Sequence, residues 1–164
     1  MNVAVRRVSS ITPGIEIRLA TVDDVKKIVP FLGAFFARSR WAEQLTFKPE
    51  SAAKYLAYSI KSGYAPYVLA FDGDELVGCC SYHIYNVFTE PIAVMDETYV
   101  VPRLRRTDLA RRLVFLALEC ARADNCKIMN FPVSSGMPEQ QGLINMLMKH
   151  FGCENMGVLL RKVL

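Results

Sequence analysis

The chain has 164 residues, 52% of them hydrophobic and 22% charged, with a formal net charge of +4. That length suits one domain with a sizeable core, and the apolar share excludes a disordered chain. No apolar run approaches the ~20 residues of a membrane-spanning helix.

The first residues, Met1-Asn-Val-Ala-Val-Arg6-Arg7, lack the apolar core and cleavage site of a secretory signal, so a cytoplasmic protein with no membrane partner is expected. Five cysteines (Cys79, Cys80, Cys120, Cys126, Cys153) have no metal-ligand spacing, and only His83 and His150 could complete a metal set. Reduced thiols and no metal site are expected. The positive charge is concentrated, with five arginines against Asp108 in residues 103–112. Such a cluster favours a compact anionic ligand over nucleic acid.

In chain order, residues 1–14 read as an arm closed by Pro13-Gly14, and a single domain is expected over 15–164. Ile15-Glu-Ile-Arg-Leu-Ala20 alternates as a first strand. Thr21 caps a helix with Asp23 and Asp24 in its first turn and Val22, Val25, Ile28, Val29 and Leu32 on its apolar face. Pro30 is expected to kink or end that helix. Phe35, Phe36 and Trp41 follow in a less regular region. A second helix runs from Pro49 to Gly63. A hairpin comes next, Tyr67–Phe71 and Glu75–Tyr85 around Asp72-Gly73-Asp74. A fourth strand covers about Ile92–Val101.

The third helix buries Leu109, Leu113, Leu116, Ala117 and Cys120, leaving Arg111 and Arg112 off that face. Lys127–Pro132 is a fifth strand, Pro138–His150 a last helix stopped at Gly152, and Gly157–Leu164 a terminal strand. Met146, Met148 and Met156 read as core filling.

Two features carry chemistry. The stretch Glu97-Thr-Tyr-Val-Val-Pro102-Arg-Leu-Arg105-Arg106-Thr107-Asp108-Leu109-Ala110-Arg111-Arg112-Leu113 reads as strand, proline, arginine-rich turn and helix. A turn of this kind aims backbone N–H groups outward at the positive end of a helix dipole, which suits a phosphate or pyrophosphate. On the strand before it stand Asp96 and Glu97. They point to opposite faces unless a bulge shifts the parity, and in a cleft either would have a raised pKa. His83 reads as a structural histidine near the same place.

The element order, with an anion-binding turn between the fourth strand and third helix, resembles the GNAT superfamily of acyl-CoA-dependent N-acyltransferases over residues 15–164. That family's pattern Val-x-Pro-x-x-(Arg/Gln)-x-x-Gly-x-(Gly/Ala) reads here Val100-Val101-Pro102-Arg103-Leu104-Arg105-Arg106-Thr107-Asp108-Leu109-Ala110. The resemblance implies an α+β fold of three layers, with a mixed, twisted sheet of six to seven strands flanked by helices. It implies acetyl-CoA as acyl donor and direct attack by an amine of a small-molecule or peptide acceptor. Coenzyme A would be held by Tyr99, Val100, Val101, Arg105, Arg106, Thr107, Asp108, Leu109, Ala110, Arg111 and Gln141, with Glu97 or Asp96 as the base. The fold's habit of pairing through sheet edges or the last helix admits a homodimer.

Two positions depart from the family. Asp108 replaces the first motif glycine, and Met148 stands at the tyrosine that protonates the departing thiolate. A thioether has no proton to give. Cys153, His150 and Tyr99 are the nearby replacements. These departures support a second reading, a GNAT-fold binding or structural module without catalysis. The acceptor pocket is expected from residues 31–46, the third strand and the Pro132–Pro138 loop.

Overall fold

The computed structural model describes residues 14–138 and 140–157. One sheet runs in the order β1 (Ile15–Leu19), β2 (Tyr67–Asp72), β3 (Glu75–Val87), β4 (Glu90–Val100) and β5 (Met129–Asn130). The first four strands pair antiparallel. β5 joins β4 in parallel through Ala93 with Met129 and Val94 with Asn130 only. Four α-helices complete the domain: α1 (Val25–Arg38), α2 (Pro49–Ser62), α3 (Leu109–Ala123) and α4 (Gln140–Phe151).

Strand alternation divides the core in two. Ile15, Ile17, Val68, Ala70, Val77, Cys80 and Tyr82 face Leu109, Leu113 and Ala117 of α3 and Leu147 of α4. Tyr67, Leu69, Phe71, Cys79 and Tyr99 face Ile28 of α1 and Leu56 of α2. The adjacent Cys79 and Cys80 therefore sit in different layers, both fully buried. Gly78 lies where α3 comes closest to the sheet: a Cβ there would stand 2.9 Å from Leu113 Cδ1 and 3.4 Å from the Tyr99 carbonyl. Glycine is what admits that approach.

The expected α+β class and helix-flanked mixed sheet are present, with five strands among the described residues rather than six or seven. The expected terminal strand lies outside the described residues from 158 onward, as does the arm before Gly14. The expected fifth strand is reduced to Met129–Asn130, because the chain turns away from β4 after one short bridge.

Pro30 neither ends α1 nor closes it early. Ile28 is fully buried, and Val29, Phe31, Leu32 and Phe35 pack on the same core, so tertiary burial carries the helix past the missing N–H. Arg112 is buried rather than outward-facing, whereas Met148 and Met156 are exposed rather than core. The first helical turn is fixed as expected: the Asp24 carboxylate accepts from Thr21 N and Oγ1 at 2.7 and 2.9 Å and pairs with both terminal nitrogens of Arg18.

Candidate active site

A bulge in β4 creates the site. Ser81 pairs with Glu97 and Tyr82 with Met95, so Asp96 has no partner across the ladder. The extra residue shifts the alternation. Met95 and Val100 pack in the α3 layer while Glu97 reaches Tyr67 and Tyr99 packs in the α1/α2 layer. Asp96 turns to His83, whose Nδ1 lies 2.7 Å from its Oδ1. The two carboxylates expected on opposite faces are thus brought side by side.

Each is held differently. The Tyr67 hydroxyl donates to Glu97 Oε1 at 2.7 Å. Burial pushes the Glu97 carboxyl up to about 6 against that hydrogen bond, and the Asp96 charge adds to the rise. Burial also raises Asp96, opposed by His83. Burial and the Glu97 charge raise Tyr67 far above the ordinary phenol range, so its O–H remains a donor. A carboxylate poised near neutrality is equipped to take a proton from an ammonium group.

Both carboxylates open on a cavity of about 220 Å³. Its walls are Phe35 and Trp41 from the first helical region, Met95–Thr98 of β4, the segment 131–135, and Leu143 and Leu147 of α4. Next to it lies a larger cleft of about 810 Å³. Thr98, Tyr99, Val100, Pro102 and the turn residues 104–107 with Ala110 form one side; Val133, Ser135, Met137 and α4 form the other. The two spaces share Thr98, Val133, Ser135 and Leu143. They lie where β4 and β5 part beyond Val94 and Asn130.

The turn at the far end of the cleft has the local structure of an anion cradle. Pro102–Leu104 forms one 3-10 turn, and Arg106 has φ 71°, a left-handed conformation unusual for a long side chain. Arg105 ties the turn to the strand: its Nε donates to the Val100 carbonyl at 3.1 Å and its guanidinium lies 5.4 Å from the Tyr99 ring centroid. Tyr99 is itself packed against Phe31 and Phe35. Thr107 Oγ1 accepts from Leu109 N at 3.2 Å. Helical geometry leaves the Ala110 and Arg111 amides without an intrahelical acceptor, directed out of the helix start.

Asp108 sits at the N-cap with φ −80°, so the position does not demand glycine, and its carboxylate lies 3.8 Å from Arg111 Nη2. It does not line the cleft.

Of the sequence-derived cofactor residues, Tyr99, Val100, Arg105, Arg106, Thr107 and Ala110 line the cleft. Leu109 instead fills the core and Val101 binds the Val77 carbonyl through its N–H. Arg111 stands with Asp108 beside the turn. Gln141 is exposed and its amide donates to Asn145 Oδ1 at 3.0 Å, whereas Gln140 lines the cleft. Among the described residues, the face that α4 offers is Gln140, Gly142, Leu143 and Met146, with no acid among them. Exposed Met148 is not on it.

Sequence reasoning missed Tyr67 and Ser135. Tyr67 reads as one more aromatic of a buried strand, and Ser135 as one of several loop polar residues. Only the fold shows that one touches Glu97 and the other joins the two cavities.

The chain matches the family model described as Acetyltransferase (GNAT) family over residues 34–152. No curated protein matches it in sequence. Among solved structures, a Trypanosoma brucei acetyltransferase is 17% identical with a TM-score of 0.71, covering 92% of this chain and 99% of that one. An aminoglycoside acetyltransferase from an uncultured soil metagenomic sample, in complex with trehalose, is 12% identical with a TM-score of 0.75, covering 94% and 99%. An acetyltransferase from Clostridium acetobutylicum, solved with acetyl-CoA, is 11% identical with a TM-score of 0.71, covering 91% and 96%. At these identities the likeness is one of fold.

Proposed function

The chain belongs to the GNAT family of acetyltransferases, and on that footing we propose that it is an N-acetyltransferase using acetyl-CoA and a small amine acceptor. The observation that carries this reading is Glu97, a carboxyl pushed up to about 6, at a cavity that opens into a cleft ending in an arginine-rich helix start. Five free cysteines fit a cytoplasmic setting. No helix among the described residues is long and apolar enough to cross a membrane.

The cleft fits coenzyme A by its chemistry. Arg105, Arg106, Thr107 and the Ala110 and Arg111 amides are suited to a pyrophosphate. Leu143, Met146 and the edge of β4 beyond Val94, unpaired among the described residues, suit a pantetheine arm with alternating amide and methylene groups. Bound there, acetyl-CoA supplies an acetyl group activated as a thioester.

Glu97, as carboxylate, takes the first proton from the acceptor ammonium and leaves a free amine to attack. Tyr67 holds Glu97 in place and keeps one of its oxygens occupied. As the C–S bond breaks, Ser135 relays a proton to the departing sulfur and receives in exchange the second proton of the attacking nitrogen. Of the two hydroxyls shared by both cavities, Thr98 Oγ1 is turned to Met95 Sδ at 2.8 Å. Among the described residues Ser135 Oγ only accepts, from Met137 N at 3.4 Å, which leaves its own proton available.

Ser135→Ala is expected to lower kcat by about ten- to a hundredfold with acetyl-CoA. Acyl donors with more acidic thiols should restore most of that loss, since such thiolates leave without a proton. An equal deficit with every donor would remove Ser135 from this role.

Incubation with acetyl-CoA and a panel of amines, following thiol release, tests the reading as a whole. Met148, exposed and off the cleft where the family has its tyrosine, favours one alternative, a GNAT-fold binding module. Coenzyme A binding without turnover of any amine would establish that alternative instead.

A further inference from the structure

The acceptor cavity has a composition that selects its guest. Asp96 and Glu97 enter it side by side, and Thr98, Ser134 and Ser135 add hydroxyls, but no lysine, arginine or histidine among the described residues lines it. His83 pairs with Asp96 without lining the cavity, and Arg40 is laid against Gly136, which is not a lining residue either. Two carboxylates in a partly dewatered space are costly without a cation between them. A cationic guest supplies that charge, above all to Glu97, which has no basic partner among the described residues.

The remaining surface is apolar, with Phe35, Trp41 and Phe131 as aromatic walls. Aromatic faces attract an ammonium ion and accommodate hydrocarbon equally well. The space, about 220 Å³, corresponds to the liquid volume of about seven waters. It can enclose a molecule of about ten non-hydrogen atoms, but only the end of an amino sugar of several rings. A carboxylate on the carbon bearing the amine would be held beside Asp96 and Glu97, with no basic side chain among the described lining residues to pair it.

Resting on the N-acetyltransferase reading of the same site, we infer that the acceptor is a compact primary amine with an apolar, arylalkyl-like skeleton and no carboxylate: a free monoamine rather than an amino acid. The ammonium lies between the two carboxylates, and the hydrocarbon lies against the Phe35, Trp41 and Phe131 walls.

Three matched probes test this by calorimetry on the whole protein, with and without coenzyme A: 2-phenylethylamine, phenylalanine (which adds a carboxylate) and 2-phenylethanol (which removes the cation). The amine is expected to bind about tenfold or more tightly than either of the others. In the isosteric double variant D96N/E97Q, whose fold is checked by its Tm, the amine should lose its advantage over the alcohol. Phenylalanine binding as tightly as the amine, or an alcohol binding equally well, would overturn the inference. So would tighter binding of the peptide Phe-Gly-Gly, which would assign the cavity to polypeptide N-termini. Selective amine binding without acetyl transfer would uphold this inference and remove the catalytic reading; transfer to phenylalanine but not to 2-phenylethylamine would do the reverse.

Discussion

Replacing Glu97 with glutamine is expected to lower kcat/KM by about a hundred- to ten-thousandfold, the range of a lost general base. The wild-type pH profile should show why. Glu97 acts as the carboxylate, so kcat/KM should rise as pH increases through about 6, where the buried carboxyl gives up its proton. In E97Q that limb should vanish, while any limb from the acceptor's own ammonium at higher pH stays.

The stability change has the opposite sign. The folded protein holds the Glu97 proton up to about 6, against 4.5 for an ordinary glutamate. The contribution of this group to stability is therefore full below 4.5 and is lost as pH rises through 6. Above about pH 7 the ionised side chain costs on the order of 2 kcal/mol, the equivalent of that shift. E97Q should then melt several degrees higher than wild type, at about 2–4 °C per kcal/mol. A less active and more stable variant would mark a site that holds its base at the expense of stability. An inactive variant with a lower Tm would point instead to a structural glutamate.

The second large effect is expected at Ala110→Glu. Ala110 lines the cleft in the first turn of α3, where helix geometry leaves amides open and Arg105 and Arg106 crowd the same end. A carboxylate set there would oppose a diphosphate at about 4–6 Å, worth about 3 kcal/mol at the edge of a protein. Coenzyme A affinity measured by calorimetry should fall by about a hundredfold. Ala110→Ser should bind almost as wild type, and both variants should keep their Tm because Ala110 is only partly buried. Unchanged affinity in A110E would place the pyrophosphate somewhere other than this turn.

The fold was legible because its signals are local and periodic. The alternation of Ile15–Leu19, the Asp72-Gly73 turn and the apolar stripe of α3 each report a period or a turn chemistry that tertiary packing then uses. Of the two outcomes expected at Pro30, a kink or an end, the end is excluded for the complementary reason: local rules stop a helix there, and the burial of Ile28 and its neighbours overrides them.

The strand–turn–helix was legible as a motif, but not every residue assigned from it lines the cleft. A motif is a continuous string, whereas a helix start points only some of its side chains outward, so Leu109 fell to the core and Gln141 to solvent. Asp108 looked like an obstacle inside the cradle because sequence gives its place but not its direction. Its φ of −80° and its approach to Arg111 show that it occupies the N-cap position beside the cleft with its carboxylate turned to Arg111.

The bulge was the least legible feature. Nothing in Met95-Asp96-Glu97-Thr98 shows that the ladder slips there, and strict alternation would have separated the carboxylates. Tyr67 and Ser135 are distant in sequence from Glu97 and from the turn, and they reach the candidate site only through the pairing of β2, β3 and β4 and the parting of β4 from β5.

The most direct test of the central claim is product analysis after incubating the protein with acetyl-CoA and 2-phenylethylamine. The mechanism predicts N-acetylated amine by mass spectrometry in equal amount to released thiol, from wild type and not from E97Q. Equal rates in wild type and E97Q would contradict Glu97 as the base. Thiol release with no acetylated amine, or neither product from any amine despite coenzyme A binding, would contradict the assignment of N-acetyl transfer itself.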